Sequence, residues 1–323
     1  MPTYTGISSE AFRHPLDYQA EQTLRGVPGF DLVASNFVKY FYERPQNIYL
    51  LGNCIQVGVR QYSTLYGIFR ECVRDLDISP EPIVYVSQNP LANSYALGHN
   101  EPYIVVNSEI LELMDEAELR TVLAHELGHI KCDHTILIQM AIWVMGAASL
   151  LGELTLGFGN LISSGLIYAF YEWRRKAELS ADRAALLVMD DLEPIIKTMM
   201  KLAGGSKKYA HEISLKEFKK QAENYQELDR DSLNQIYKFL IYNGGNGSFL
   251  SHPFPVERLH YLQQWETSSE YQQIKQGDYQ RVGAEGSVEV KVEETQTEVE
   301  ELQRQLEELQ QEIERIKSQK KSY

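Results

Sequence analysis

His125-Glu126-Leu127-Gly128-His129 lies within residues 116–133, a stretch that reads as one continuous amphipathic helix. At helical pitch, side chains four residues apart leave the same face, so the imidazoles of His125 and His129 can meet one tetrahedral cation. Glu126 points a carboxylate toward the open coordination position, where it can take a proton from a metal-bound water. The chain holds 8 histidines in 323 residues, so a chance match to this pattern has odds on the order of a few per cent. Leu119, Val122 and Leu123 give the helix an apolar side that Leu127 and Ile130 continue. The plain alternative is a pair of solvent-facing histidines on a charged helix.

A third ligand is needed. Sites built on this motif are completed either by a downstream Gly-x-x-His or by a Glu on a second helix. Cys132 and Thr135 stand where the first option needs Gly and His. His134, nine residues beyond His125, falls on the opposite face if the helix continues. The glutamate option is present in Ala177-Glu178-Leu179-Ser180-Ala181-Asp182-Arg183. Glu178 and Asp182 are four apart on a helix whose other side carries Ala184, Leu187 and Val188. Asp182 can accept the free ring N–H of a ligating histidine and fix its tautomer. An ordinary exposed acidic face is the competing reading.

Together the two helices resemble the HtpX-like and CaaX-prenyl-protease-like metallopeptidases. Two further segments are similar to that family: Asn93-Ser94-Tyr95-Ala96-Leu97-Gly98 with Tyr103-Ile104-Val105-Val106-Asn107, and Ser251-His252-Pro253 with Arg258. The resemblance covers roughly residues 75–264, and its segments keep the family's order. It implies an α+β, mostly α-helical fold: a gluzincin-type zinc peptidase domain with a small β-sheet beside the active-site helix. It also implies one Zn2+ per chain held by His125, His129 and Glu178, with Glu126 as general base and Asp182 orienting a ligand. The expected reaction is endoproteolysis of protein or peptide substrates. Glu126 deprotonates water and then returns the proton to the leaving amine.

His252 and Arg258 are candidate catalytic donors for the developing oxyanion, because a late polar segment can fold over the cleft. His252 has two other readings: a ligand that fills the open metal position and holds the enzyme latent, or a turn residue before a helix that Pro253 and Pro255 begin.

Residues 82–86 and 102–106 read as β-strands, with 94–98 a short strand between them in sequence. A sheet edge beside the motif helix can bind an extended peptide by strand addition, which makes Asn93, Ser94, Tyr95 and Ala96 the expected substrate-binding residues. A purely structural sheet is the alternative.

A net charge of −14 argues against nucleic acid and against anionic lipid surfaces as partners. Cys54, Cys72 and Cys132 lack ligand spacing and read as reduced core thiols, which suits a cytoplasmic compartment. Residues 1–10 lack a charged-then-apolar signal pattern. Residues 135–171 form two apolar arms broken by Glu153 and by Gly157, Gly159, Asn160 and Gly165. Each arm sits at the lower limit for a span. A buried helical hairpin and a membrane-associated one both remain open for 135–171. Helix-period apolar residues also mark 29–42, 63–76, 193–202 and 228–242, and 207–227 reads as a polar helix. Residues 243–248 read as a flexible loop.

The sequence divides into a metallopeptidase domain at 1–280, a linker at 281–291 and a C-terminal coiled-coil helix at 292–321. Val292, Thr295, Val299, Leu302, Leu306, Leu309, Ile313 and Ile316 set a heptad seam that suits a homodimer, or a helix folded back on the domain.

Three functions compete at this point. They are a zinc endopeptidase, of a kind that suits protein quality control; a non-proteolytic scaffold or chaperone-like protein with structural zinc and a coiled-coil interaction tail; and an aminopeptidase, which needs a Gly-x-Met-Glu-Asn signature that the segment upstream of His125 lacks. A structural metal has no use for a general base, so the endopeptidase is favoured.

Overall fold

Two short runs of β-branched and aromatic residues, β2 (Ile83–Ser87) and β4 (Tyr103–Asn107), pair in parallel at the centre of a four-stranded sheet. They are flanked by β1 (Ile55–Gln56) and β3 (Ser94–Leu97), both antiparallel to their neighbours, in the order β1-β2-β4-β3. The computed structural model describes residues 3–31, 33, 34, 37, 44–98, 101–150, 164–243 and 250–283. Around the sheet run α1 (Pro15–Gly26), α2 (Arg44–Asn53), α3 (Ser63–Asp75), α4 (Ser108–Leu113), α5 (Glu116–Lys131) and α6 (His134–Leu150). Then come α7 (Ser164–Met189), α8 (Leu192–Gly204), α9 (Leu215–Asp229), α10 (Ser232–Tyr242), α11 (Pro255–Glu266) and α12 (Ser269–Lys275).

The sheet is covered on both faces, so alternate residues feed two cores. Val84, Val86, Ala96, Ile104 and Val106 enter one core with Phe69 of α3, Leu123 and Leu127 of α5 and Leu186 of α7. Tyr85, Leu97, Tyr103 and Val105 enter the other with Leu24 of α1, Leu137 and Ile138 of α6, and Phe170 and Trp173 of α7. The described parts of the apolar arms in 135–171 thus put Leu137, Ile138, Met140, Leu166 and Phe170 into protein core. Among the described residues, no helix is long and apolar enough to cross a membrane.

α5 starts where a reciprocal cap fixes it. The Asp115 side chain accepts from the Glu118 N–H at 2.9 Å, and the Glu118 carboxylate accepts from the Asp115 N–H at 2.8 Å. Lys201 of α8 pairs with the same Glu118 at 2.6 Å, and Arg120 bonds Glu71 and Asp75 of α3. These ties anchor the helix that carries the His-Glu-x-x-His motif. It ends one turn after His129, where Asp133 takes a left-handed φ of 55°.

Two expected helices differ in extent. The helix expected at 228–242 begins only at Ser232, because the Asp231 carboxylate accepts from the Leu233 and Asn234 N–H groups and starts a new one. The polar helix expected at 207–227 likewise begins at Leu215, capped by Ser214. Most of the helix expected at 29–42, the centre of 135–171, the 244–249 part of the expected loop and all of 284–323 lie outside the described residues. The coiled coil at 292–321 and most of the linker at 281–291 fall in that last segment.

Candidate active site

The site forms where α5 crosses α7. The crossing is close because Gly128 faces Ala181 and Ala184: a Cβ built on Gly128 would stand 2.7 Å from the Ala184 Cβ and 2.9 Å from the Ala181 Cα. Small residues on both helices therefore let Glu178 reach the two histidines. His125 Nε2 lies 3.3 Å from Glu178 Oε2, and His129 Nε2 lies 3.5 Å from Glu178 Oε1. One ligand atom from each of His125, His129 and Glu178 falls within 4.8 Å of the others, a donor set that can hold a metal ion.

These spacings fit a cation. Ligands about 2.0–2.1 Å from a tetrahedral ion sit roughly 3.3–3.4 Å apart, which is longer than a good hydrogen bond. Glu178 Oε2 is buried without a hydrogen-bond partner, as expected of an oxygen whose partner is an ion. Burial would raise the Glu178 carboxyl, yet His252, His125, His129 and Arg258 hold it well below the carboxylate range. Burial lowers both histidines. For His125, the carboxylates of Asp182 and Glu178 outweigh burial and push it up to about 10; for His129, burial, with His125 and His134 adding to it, outweighs Glu178 and takes it down to about 4.

The surrounding groups aim these three. His125 Nδ1 lies 3.1 Å from Asp182 Oδ1. Arg258 grips Asp182 with a fork, Nε to Oδ2 at 2.8 Å and Nη2 to Oδ1 at 2.5 Å, and its Nη1 stands 3.5 Å from Glu178 Oε2. Glu126, 5 % exposed, accepts from Ser94 Oγ at 2.6 Å through its Oε1. Burial raises the Glu126 carboxyl, while His125 and Ser94 pull it down. His252 Nε2 comes within 3.4 Å of Glu178 Oε1, and the His252 side chain is 46 % exposed at the rim. It is absent from the group of mutually close ligand atoms.

Beside these groups opens a cavity of about 450 Å³. It is lined by the polar groups of His125, Glu126, Glu178, Asp182, His252 and Arg258 and by the apolar side chains of Ile110, Val122, Ile195, Met199, Leu202 and Phe254. Thr121 and Thr198 also line it, but their hydroxyls bond the Ala117 and Pro194 carbonyls of their own helices. Away from the titratable groups the lining is therefore largely apolar.

The structure divides the expected substrate-binding residues. Asn93 and Ser94 line the cavity, and β3 is the sheet's edge strand next to α5. Ala96 is buried in the first core and Tyr95 packs against the second, because both faces of the sheet are covered. Sequence reasoning missed His134, Asp17 and Ser180. His134 Nδ1 is 3.0 Å from His129 Nδ1, since Asp133 ends α5 and α6 turns the ring back. The continuous-helix argument put it on the far face. No local pattern marks Asp17, which lies 117 residues away from the histidine it bonds.

A helix bearing His-Glu-x-x-His, a glutamate from a second helix and an edge strand alongside define a metallopeptidase. The chain belongs to peptidase family M48, which matches residues 60–266. It is 35% identical over 274 residues to the plastoglobule-localized metallopeptidase 48, chloroplastic, of Arabidopsis thaliana, covering 84% of this chain and 76% of that protein. A protease HtpX homolog of Methylibium petroleiphilum is 25% identical over 244 residues, covering 69% of this chain and 82% of the homolog. One from Persephonella marina is 28% identical over 153 residues, or 43% and 52%. No solved structure matches the chain. The protein is accordingly a metallopeptidase with protein substrates, and the resemblance to the HtpX-like enzymes holds.

Proposed function

We propose that the metal is zinc, held by His125, His129 and Glu178, and that the protein cleaves internal peptide bonds beside large apolar side chains. The observation that carries this reading is the pair of 3.3 and 3.5 Å separations from the two histidines to the buried Glu178 carboxylate, whose Oε2 has no hydrogen-bond partner. Two imidazoles and one carboxylate are a catalytic donor set for zinc, with a position left over. When bound, zinc supplies Lewis acidity: it acidifies the attacking water to a pKa of about 7 and withdraws charge from the scissile carbonyl.

Glu126 is the base in this scheme. Ser94 occupies its Oε1, so Oε2 takes the proton from water and passes it to the leaving amine. Burial brings its basicity toward the working range. Asp182 fixes His125 with Nε2 free, and Arg258 holds Asp182 in place. The fork commits Arg258 to positioning, which leaves His252, exposed at the rim, as the donor to the developing oxyanion. The edge of β3 suits an extended main chain, and the apolar side chains lining the cavity suit a Leu- or Phe-sized side chain. Unfolded chains present both together, which supports a quality-control role. Glu126 beside the ligands speaks against a scaffold with structural zinc. The buried single thiols Cys72 and Cys132 suit a reducing, cytoplasmic compartment.

The test is zinc content and casein cleavage for wild type and Glu126→Gln side by side. Near-stoichiometric zinc in both with cleavage in wild type alone is expected. Turnover by Glu126→Gln would remove the base assignment.

A further inference from the structure

His129 is braced from behind by a hydrogen-bond chain that ends near the other end of the sequence. Its Nδ1 lies 3.0 Å from His134 Nδ1, and His134 Nε2 lies 3.0 Å from Asp17 Oδ2. Asp17, on α1, also accepts from Arg13 Nε at 2.8 Å and from Ser180 Oγ at 2.7 Å. Ser180 sits between Glu178 and Asp182 on α7, and its own oxygen accepts from the His14 N–H at 2.9 Å. His134 and Asp17 are both 0% exposed, with the Trp173 ring edge-on to His134 at 5.8 Å. Burial would raise the Asp17 carboxyl; His134 and Arg13 reverse this and keep it ionised far below its usual range.

The direction of this chain follows from the chemistry of imidazole. Two facing ring nitrogens bond only when one of them carries the hydrogen. A His129 that gives its Nε2 lone pair to a cation carries hydrogen on Nδ1, so His134 must accept at Nδ1. The hydrogen of His134 then sits on Nε2 and points at Asp17. The reverse polarity would put hydrogen on His129 Nε2 and block ligation. An ionised, four-donor carboxylate at the far end selects the first arrangement.

We propose that His134 and Asp17 are positioning residues of the metal site, which fix His129 as the Nδ1–H tautomer with Nε2 free for zinc. The inference rests on the zinc reading above. The two ligand histidines are thus oriented by different means: His125 directly by Asp182, and His129 through a second imidazole by a carboxylate of α1. α1 lies outside the residues matched to the family, and through Ser180 it is fastened to the same turn of α7 that presents Glu178.

The experiment measures zinc affinity of the full chain by competition with a chromophoric chelator, with circular dichroism of the metal-free protein as the folding control. Asp17→Asn and His134→Leu should weaken zinc binding by about 10–100-fold. His134→Gln, whose amide can accept from His129 and donate to Asp17, should stay within a few-fold of wild type. Unchanged affinity in folded Asp17→Asn and His134→Leu overturns the proposal, as does a His134→Gln no better than His134→Leu. If those variants do not fold, 15N imidazole spectra of zinc-loaded wild type decide. Hydrogen on His134 Nε2 with a bare Nδ1 is expected, and the opposite tautomer overturns the assignment. A wild type that takes up no zinc removes the zinc reading itself, an outcome distinct from failure of the brace.

Discussion

Gly128→Ala is the smallest change that tests whether the α5–α7 crossing sets the metal site. The added Cβ would lie 2.7 Å from the Ala184 Cβ, 2.9 Å from the Ala181 Cα and 3.2 Å from the Ala181 carbonyl oxygen. None of these atoms can rotate away. Carbon–carbon contacts are comfortable at about 3.5–4.0 Å, so the helices must part by roughly 0.6–0.8 Å. Overpacking of this kind costs about 1–3 kcal/mol, while Ala in place of a helical Gly returns about 0.8–1 kcal/mol. The net loss of stability is thus about 0–2 kcal/mol, and the fold should survive. The site is affected more, because α7 carries Glu178 and α5 carries both histidines. A misplacement approaching 1 Å costs on the order of 100-fold in rate. We expect kcat/KM on an internally quenched peptide to fall by about 30–100-fold, with weaker zinc binding in the chelator assay. Gly67→Ala is the control: Gly67 is exposed in α3 and a Cβ there meets nothing within 4 Å. It should gain about 0.8–1 kcal/mol of stability and leave kcat/KM unchanged. Wild-type zinc affinity and kcat/KM in Gly128→Ala would refute the crossing argument.

Three further outcomes are expected. His252→Ala should lower kcat by about 100–1,000-fold at unchanged zinc affinity, as loss of an oxyanion donor does; a rise in kcat would instead identify His252 as an inhibitory ligand. Leu202→Glu places a charge in the apolar lining of the cavity on a residue 41% exposed, so it should spare folding. It should reduce kcat/KM for peptides with Leu or Phe beside the scissile bond about 10-fold more than for their Ala counterparts; equal losses would separate the cavity from specificity. Glu126→Gln should also stabilise the metal-free protein in a pH-dependent way. The folded state raises this carboxyl, so ionising it costs stability that is absent below the ordinary pKa of about 4.3 and complete above the folded value. The advantage of the Gln variant should therefore grow from pH 4 toward pH 7, and an equal melting difference at both ends would contradict the burial argument.

The parts of the site that were legible in the sequence are those whose geometry is local. His125 and His129 are four apart on one helix, as are Glu178 and Asp182, and a helix of known pitch turns that spacing into a shared face. The strands 83–87 and 103–107 were legible for the same reason: a run of β-branched residues needs no distant partner to be recognised. What the pattern could not supply is anything decided by a chain reversal. The argument that put His134 on the far face of the motif helix required that helix to run past residue 133. Asp133 at φ 55° breaks it, and the next helix brings His134 back onto His129. Asp17 is hidden by a stronger barrier. It is an unremarkable acidic residue in a helix first turn, a position where carboxylates are favoured without any metal nearby. Only tertiary packing gives it His134 as a partner, and 117 residues of intervening chain leave no periodic trace of that contact. The same logic explains Tyr95 and Ala96. Residue type nominates a strand, but which of its side chains meet a substrate depends on how many faces of the sheet are covered, and here helices cover both. Local spacing therefore specifies which groups can ligate, and the long-range fold specifies how firmly each one is aimed.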